Sequence, residues 1–459
     1  MTQPHAVLSR SSLLLVLLAV VACNDDVAQF VFDARIVDGD GANPAAGTDA
    51  SVLRIGISEG EFPVRELEFP VEDGQFEAVL EFESFSSLTR LRVDIEGPTT
   101  ELFTAPPAFV PTATFGFLQV VATAPSSCEA VAINVMEAPR SELGMVLSVT
   151  FALLVGGTSA TAEQVEFLDA LEWESRLFDE EISLSTLGPT KAATIGAGQV
   201  LVLPSDASPF IFNMIDTTNR VTPVVLHTGA GSQSALVSIP EVGAMVIGGE
   251  AAGVARAGVS LVLPGGEVSS QTLSTARAGA AAAVLGDDVL VVGGDEAGTA
   301  ELLLSGSTVG EPVEGVADGI RTGGLLVSDG DSRALLFGGA DATSAIRQDT
   351  LSFDDCPPSC SSGPGPAWST ARLRAVVPEG SSLVAGGEDA SASPSTLIEE
   401  VVFEDSAVQF ESVAELNTGR ASPGAIVYES GAIVVGGGTD GSEALDDFEF
   451  CVPASLTPL

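Results

Sequence analysis

Short apolar runs that end in paired glycines recur along most of the chain. In VLVVGGDEAGTAELL, residues 289–303, four aliphatic residues lead into Gly293 and Gly294, and acidic residues separate these from a second apolar run. Runs of this length bounded by turn residues are typical of β-strands, whereas helices need longer periodic segments. The other pairs are Gly156-Gly157, Gly248-Gly249, Gly338-Gly339, Gly386-Gly387 and Gly436-Gly437.

The spacing of these pairs indicates a repeated unit. The later intervals are 45, 45, 48 and 50 residues, whereas the first is 92 residues. We interpret QVLVLPSD, residues 199–206, as a degenerate copy that has lost its glycines, which gives seven units. A repeat of this length with several short strands is typical of a β-propeller blade. The pattern therefore predicts an all-β chain with a seven-bladed β-propeller over residues 126–459.

The glycines have a predicted role in this architecture. A strand in the inner part of a blade turns sharply beside the neighbouring blade, and glycine accepts the positive φ and close backbone approach required there. Residues 278–285, AGAAAAVL, are predicted to form an innermost strand because small side chains suit a crowded wall. Residues 162–181 have a charge spacing that also fits a helix. We interpret them as two outer strands because they follow a glycine pair.

The repeats resemble those of the kelch family. The resemblance rests on the aliphatic run with its double glycine and on a preceding Thr-Ala-Arg turn, as at residues 275–277 and 370–372. It covers most of residues 126–459 and implies a kelch-like propeller. The sequence departs from the family's pattern in its aromatics, because the whole chain has one tyrosine and two tryptophans.

Alternating apolar and polar residues predict a separate all-β domain over residues 27–125. The predicted strands cover residues 28–36, 51–57, 74–83, 88–96 and 113–123. In the third of these, Phe76, Ala78 and Leu80 share one face while glutamates occupy the other, as in a half-buried antiparallel strand. We therefore predict a small β-sandwich of immunoglobulin-like or transthyretin-like type.

The N-terminus has the pattern of an exported lipoprotein. Residues 13–22, LLLVLLAVVA, form an apolar core that is short for a membrane span but suits a signal peptide. The sequence Val-Val-Ala-Cys at residues 20–23 resembles a bacterial lipobox, which implies cleavage before Cys23 and lipidation of its sulfur. An ordinary secretory signal that ends near a cysteine is the alternative.

This resemblance divides the N-terminus into a signal peptide, residues 1–22, and a lipidated tether, residues 23–26. Acyl chains on Cys23 would anchor the protein to a membrane of the bacterial cell envelope. Asn24 follows the cysteine, which by resemblance to enteric sorting rules favours the outer membrane over the inner membrane. Both a periplasmic and a surface-exposed position fit this anchor.

The chain is strongly acidic. It has 63 Asp and Glu against 18 Lys and Arg, a formal charge of −45. Such a surface repels nucleic-acid phosphates, so nucleic acid is excluded as a partner. The loop DGDGAN contains calcium-type ligands in Asp38, Asp40 and Asn43 but lacks the remaining carboxylates of an EF-hand loop. We interpret it as a turn and predict no cofactor, with calcium as the alternative.

Six of the rare cations recur at similar places in the repeats. The arginines stand 14 to 17 residues before a glycine pair, and a lysine precedes the degenerate copy: Arg140, Lys191, Arg277, Arg321, Arg372 and Arg420. In equivalent blades they lie on one face, near the mouth of the channel. One hypothesis is a ring that binds an anionic ligand, broken in the third unit where His227 stands. The other, which the repetition favours, is that each cation pairs with an acid or carbonyl inside its own blade.

The cysteines indicate how the propeller closes. An exported chain can form disulfides, and four cysteines allow three connectivities. Cys128 and Cys451 flank the repeats, whereas Cys356 and Cys360 enclose only Pro-Pro-Ser. We predict a Cys128–Cys451 bond that joins residues 128–135 to the last blade, and a local Cys356–Cys360 bond.

Residues for catalysis are scarce. The sequence has no H-E-x-x-H, G-x-S-x-G or P-loop motif, and one histidine remains after signal removal. Copper oxidases that resemble galactose oxidase need several His and Tyr ligands, which this chain cannot supply. We therefore expect a non-enzymatic module that binds a protein or glycan ligand. A calcium-dependent, carbohydrate-active hydrolase or lyase using propeller-face carboxylates and a structural envelope component are the alternatives.

Overall fold

The computed structural model shows an all-β protein. It describes residues 30–59, 65–82, 89–104, 117–148, 151–158, 165–169, 174–177, 187–196, 198–205, 207–214, 220–226, 232–316, 319–357, 360–368, 370–404, 407–428 and 431–453. These residues form 35 strands and no helix, which agrees with the prediction of an all-β chain. Within these ranges, no apolar helix has the length required to cross a bilayer.

The first seven strands form two sheets that share one core. The strands are β1 (Phe30–Val37), β2 (Val52–Glu59), β3 (Arg65–Pro70), β4 (Val79–Phe82), β5 (Thr89–Glu96), β6 (Glu101–Thr104) and β7 (Phe117–Val121). One sheet has the order β4-β1-β7 and the other β3-β2-β5-β6. Leu53, Ile55 and Ile95 of the larger sheet pack with Ile36 and Val120 of the smaller one. The two sheets therefore pack face to face around alternating apolar residues.

The structure adds two strands to those predicted for this domain. β3 and β6 lie at the two edges of the larger sheet, and β3 is short and mostly exposed, with only Leu67 and Phe69 half-buried against the core. The strand predicted over residues 74–83 is a strand only over β4. Its first part is a turn, in which Glu72 and Gln75 exchange backbone hydrogen bonds of 2.9 Å.

The remaining strands form seven sheets, numbered here in chain order. Sheet 1 contains β9 (Gly144–Ser148), β10 (Phe151–Val155), β11 (Val165–Asp169) and β12 (Glu174–Leu177); sheet 2 contains β13 (Thr190–Gly196), β14 (Gln199–Pro204), β15 (Phe210–Asn213) and β16 (Val221–Pro223). Sheet 3 contains β17 (Ala235–Ile239), β18 (Gly243–Ile247), β19 (Glu250–Ala251), β20 (Val254–Val262) and β21 (Val268–Arg277); sheet 4 contains β22 (Ala281–Leu285), β23 (Asp288–Val292), β24 (Ala300–Leu303) and β25 (Glu311–Val313).

Sheets 5 to 7 complete the series. Sheet 5 contains β26 (Thr322–Ser328), β27 (Ala334–Ala340), β28 (Leu351–Asp354) and β29 (Ser361–Pro364); sheet 6 contains β30 (Leu383–Ala385), β31 (Leu397–Phe403) and β32 (Val408–Glu415). Sheet 7 contains β33 (Gly424–Val427), β34 (Ile433–Gly436), β35 (Asp447–Val452) and β8 (Ser127–Val135). The degenerate copy in the sequence is β14, the second strand of sheet 2, as predicted.

Each sheet packs between two neighbours. Apolar cores join sheets 1 and 2, 2 and 3, 3 and 4, 4 and 5, 5 and 6, and 6 and 7. A further core joins sheet 7 to sheet 1 through Val434, Phe448 and Leu154. The first strands of sheets 7, 1 and 2 are neighbours in the same order, because β33 contacts β9 and β9 contacts β13.

Sheet 7 combines strands from the two ends of this region. β8 pairs antiparallel with β35, with Cys128 opposite Cys451, and a disulfide joins these two residues. A second disulfide joins Cys356 to Cys360 in the turn after β28. Both pairings agree with the prediction from the sequence.

The glycine pair of sheet 7 differs by one residue from the predicted pair. Gly436 is the last residue of β34, where a Cβ would meet the ring of Phe448. Gly437 and Gly438, with φ of 61° and 90°, form the turn instead. Three consecutive glycines follow this apolar run, and the sequence alone does not show which two turn. In the ambiguous segment, residues 162–181, the described parts are the strands β11 and β12.

Candidate functional site

In five of the sheets, a paired glycine donates a backbone hydrogen bond to the chain that leads into the next sheet. In sheet 4, Gly293 and Gly294 have φ of 70° and 74°. The N–H of Gly294 donates to the carbonyl of Arg321, just before sheet 5, at 3.0 Å, and a Cβ on Gly294 would lie 2.6 Å from the backbone nitrogen of Ala280. Equivalent bonds of 2.7 to 2.9 Å join Gly249 to Arg277, Gly387 to Arg420 and Gly438 to Arg140. The last of these bonds joins sheet 7 to sheet 1.

The five repeated arginines lie inside the sheets. Arg277 is fully buried and donates to the carbonyl of Gly293 and to the carboxylate of Glu301 on β24, both at 2.8 Å. Arg420 makes the same two contacts, with the carbonyl of Gly437 at 3.0 Å and with Glu449 at 2.9 Å. The other pairs are Arg140 with Glu166, Arg372 with Glu399 and Arg321 with Asp349.

The carboxylates of these pairs also hold the chain that leads into each sheet. Glu301 accepts the backbone N–H groups of Ser274 and Thr275 at 2.5 and 3.0 Å. Glu449 accepts those of Asn417 and Thr418 at 2.6 and 3.1 Å. The pair therefore satisfies buried backbone donors as well as neutralising the arginine.

Each sheet that contains the buried arginine also contains a carboxylate that pairs with it. Sheet 3 has no such arginine among its described residues, and Ser260 stands opposite Val246 where Glu301 stands opposite Val291. In sheet 5 the arginine pairs instead with Asp349, whose side chain is 45% exposed. The two residues thus form one structural unit, present or absent together.

The five arginines therefore fit the favoured hypothesis of pairing within each sheet, and the alternative of an anion-binding ring is corrected for them. The five arginines have at most 2% of their surface exposed, and each already contacts a carboxylate and a carbonyl of its own sheet. Burial lowers the pKa of Arg140, and the charge of Glu166 opposes that shift. Equivalent spacing located these side chains correctly on one end of the sheets but did not show that they point inward.

Lys191 does not take the arginine's place in sheet 2. That place belongs to Gly188, whose carbonyl accepts the N–H of Gly157 at 2.8 Å. Lys191 lies three residues further on, in β13, and its Nζ reaches the carbonyl of Ser234 in front of sheet 3 at 2.7 Å. Part of its side chain is exposed, but the amine is surrounded by protein atoms, and this desolvation lowers its pKa.

A left-handed residue stands two positions after each arginine, where the first strand of the sheet begins. These residues are Glu142, Gly279, Gly323, Arg374 and Ser422, with φ between 52° and 71°, and Gln233 with φ of 64° takes this place in sheet 3. Backbone hydrogen bonds link these positions from one sheet to the next, each from an N–H group to a carbonyl oxygen. The donor and acceptor residues are Ser422 and Arg374 (2.8 Å), Glu142 and Ser422 (3.0 Å), Thr190 and Glu142 (2.9 Å), Gly279 and Gln233 (2.8 Å), and Gly323 and Gly279 (3.0 Å).

The side chains along this series form a one-sided polar group, which we call the inner arc: Arg374, Ser422, Glu142, Lys191 and Gln233. Sheets 4 and 5 contribute only glycines at this level. Arg374 contacts Glu388 at 3.4 Å, and Glu142 accepts a hydrogen bond from Thr158 at 3.1 Å. Together with Glu388, the inner arc has two cations and two carboxylates, a formal net charge of zero.

The sequence did not predict the inner arc. Its members share no residue type: Glu142, Gln233, Arg374 and Ser422 share a positive φ just before a first strand, and Lys191 lies within the first strand of sheet 2. The repeated arginine at a fixed spacing could have located them, because the residue two positions later begins each first strand.

The loop at residues 38–43 is a turn, as interpreted from the sequence. Asp38 accepts the N–H groups of Asp40 and Ala42 at 3.0 and 2.8 Å. Asn43 accepts the N–H of Ala45 and donates to the carbonyl of Gly74. Among the described residues, no group of three or more His, Cys, Asp or Glu side chains is placed to hold a metal ion.

Three predicted features lie outside the described residues. They are the signal peptide and tether of residues 1–26, the proposed lipidation site Cys23, and His227.

Comparison with known proteins gives matches among solved structures. No family model and no curated protein matches the chain. A solved structure titled "Structure of YjhT" is 12% identical, with a TM-score of 0.43, and the alignment covers 68% of this chain and 95% of that one.

Proposed function

We propose that the protein is an exported, lipid-anchored binding protein of the bacterial cell envelope. In this proposal the seven sheets are the blades of a closed, kelch-like β-propeller, and β1–β7 form a sandwich between the propeller and the anchor. The inner arc surrounds one mouth of the central channel and binds a protein or glycan ligand. No enzymatic step is assigned to it.

Contacts between the last sheet and the first support a closed ring. The N–H of Gly438 donates to Arg140, and the N–H of Glu142 donates to Ser422. An apolar core and the Cys128–Cys451 disulfide lie in the same region. A ring of blades is the arrangement in which every sheet, including the first and last, buries both of its faces.

The asymmetry of the inner arc carries the binding proposal. A residue with a side chain at positive φ costs about 1–2 kcal/mol relative to an ordinary conformation, and glycine avoids this cost. Sheets 4 and 5 use glycine, whereas Glu142, Gln233 and Arg374 keep long polar side chains in the same conformation. Strain of this kind collects at binding sites. A surface of mixed donors and acceptors without net charge suits a neutral glycan or a peptide backbone.

Glycine substitutions test this proposal without endangering the fold. Glu142→Gly and Gln233→Gly remove the side chains and relieve the left-handed strain, so both variants should fold at least as stably as the wild type. We expect each to weaken a ligand found on a glycan and peptide array by about tenfold, which corresponds to about 1.4 kcal/mol.

Ser344→Gly is the matched control for these variants, because Ser344 has φ of 65° outside the inner arc. It should gain the same relief of strain and keep full ligand affinity. Unchanged binding by Glu142→Gly and Gln233→Gly would reject the inner arc as the binding surface.

A separate variant tests the anchor. Cys23→Ala should move the protein from the membrane fraction to the soluble fraction, because acylation is the attachment that the lipobox-like sequence implies. Circular dichroism should show an unchanged β-sheet spectrum. Protein that still pellets with membranes after a salt wash would require another attachment.

A further inference from the structure

Glu379 makes a contact between two sheets that do not pack on each other. It lies in the turn between residues 373–378 and β30 in sheet 6. Its carboxylate oxygens both lie 3.1 Å from the backbone nitrogen of Thr194, in β13 of sheet 2, and one also accepts the Thr194 hydroxyl. Sheet 6 shares its apolar cores with sheets 5 and 7, so this side chain crosses the space that the first strands enclose.

The first strand of sheet 2 offers donors to this space. β13 pairs on one side only, with β14, so alternate N–H groups of its other edge have no strand partner. The hydroxyl of Ser238, in β17, donates to the carbonyl of Thr194 at 2.9 Å. The Thr194 hydroxyl also lies 3.2 Å from the Ser238 hydroxyl, and it donates to Glu379 because an ionised carboxylate only accepts hydrogen bonds. Thr194 thus presents two donors to a single acceptor group.

An N–H and an O–H that converge on one carboxylate form an anion site, because an ionised carboxylate only accepts hydrogen bonds and makes the stronger, charge-assisted kind. We propose that Thr194, oriented by Ser238, is a carboxylate-binding site in the central channel, and that the protein's own Glu379 occupies it until a ligand carboxylate displaces it. The site lies toward the other end of β13 from Lys191 and the inner arc, and it does not depend on a ligand there.

Tethering gives Glu379 an advantage over any free carboxylate, because an attached group acts at a high effective concentration. The wild-type protein should therefore respond to acetate and to chloride in the same way. Removing the internal carboxylate by Glu379→Ala should expose the site without breaking a core, since Glu379 is an exposed turn residue.

The test compares melting temperatures in sodium acetate and in sodium chloride at equal ionic strength. We expect acetate to raise the melting temperature of Glu379→Ala relative to chloride and to leave the wild type unaffected. The amide ¹⁵N resonance of Thr194 should shift with acetate in the variant only. Adding Thr194→Val, which removes the hydroxyl donor, should reduce the acetate effect.

Equal behaviour of Glu379→Ala in the two salts, with an unmoved Thr194 resonance, would overturn the proposal. If Glu379→Ala does not fold, the comparison is made with Glu379→Gln, whose neutral amide accepts through one oxygen only and lacks the charge that strengthens the hydrogen bonds of the carboxylate. An acetate response in Glu379→Gln that Thr194→Val abolishes supports the site, and its absence rejects it. The variants Glu142→Gly and Gln233→Gly test the inner arc separately, so their loss of an array ligand would not change the acetate result at Thr194.

Discussion

In the buried ion pair of Arg420 and Glu449, each charge needs the other to compensate for the loss of water around it. Both side chains have 0% exposure, and Glu449 also accepts two backbone N–H groups. Arg420→Ala leaves a buried carboxylate without its cation, which typically costs about 3–5 kcal/mol. We expect a loss near the lower end, because the backbone donors remain, and urea unfolding would measure it.

Two control experiments distinguish the effect of breaking the buried ion pair from the effect of removing an arginine in general. Arg374→Ala removes an exposed arginine and should change stability by less than about 1 kcal/mol. The double change Arg420→Met with Glu449→Leu removes both charges and should recover much of the stability. An Arg420→Ala variant as stable as Arg374→Ala would contradict the structural role assigned to these arginines.

The glycine pairs can be tested for close packing apart from backbone conformation. Gly294 and Gly306 have nearly equal φ, 74° and 77°, but a Cβ would meet Ala280 at Gly294 and open space at Gly306. Both alanine substitutions should lose about 1–2 kcal/mol to the left-handed conformation. Gly294→Ala should lose more, by about 1–3 kcal/mol, because the neighbouring backbone must move. Equal losses in chemical denaturation would show that only the conformation matters.

At the scale of elements, the pairing of β8 with β35 depends on residues 323 positions apart. Closing a loop of that length gives up to about 6 kcal/mol in the chain-entropy treatment, whereas the short Cys356–Cys360 loop gives about 2 kcal/mol. Cys128→Ala with Cys451→Ala should therefore lower the melting temperature more than Cys356→Ala with Cys360→Ala. A larger drop for the short loop would contradict this ranking.

The sequence predicts well the elements in which geometry allows only one residue type at a position. Paired glycines marked the second strands because only glycine fits beside the next sheet, and flanking cysteines marked the closing pair. Edge strands such as β3 escaped prediction because they are short and mostly exposed, so the alternation of Leu67 and Phe69 extends over only two apolar residues. For the arginines, the spacing left two hypotheses open, because spacing reports position and not side-chain direction, and the favoured one, pairing within each sheet, agrees with their contacts. Glu379 and Thr194 meet only through the tertiary arrangement.

For the whole molecule, the formal charge of −45 and a set of hydrogen-bonded aspartates act in opposite directions as pH falls. Hydrogen bonds from Thr343 hold the pKa of Asp341 below its usual value, and bonds from Glu443 and Ser442 do so for Asp440. Such groups stabilise the fold fully above the unfolded pKa of about 3.9 and lose that contribution as pH falls through the lower folded value.

We therefore expect stability to rise as pH falls from neutral, while repulsion weakens, and to decline below about pH 4. Urea unfolding across this range measures the profile. Asp440→Asn should make the acid decline shallower, because its amide does not titrate. A stability that keeps rising below pH 4 would show that repulsion outweighs these aspartates.

The position of β8 also sets an order of events in the life of the chain. Sheet 7 needs β8, which is synthesised before the strands of sheets 1 to 6, and β35, which is synthesised after them. Sheets 1 to 6 can form while the ribosome still holds the C-terminal part, but β8 must wait with an unpaired edge until β35 emerges. Unpaired edges favour association with other chains. A cell that makes this protein thus has reason to shield one strand until synthesis is complete.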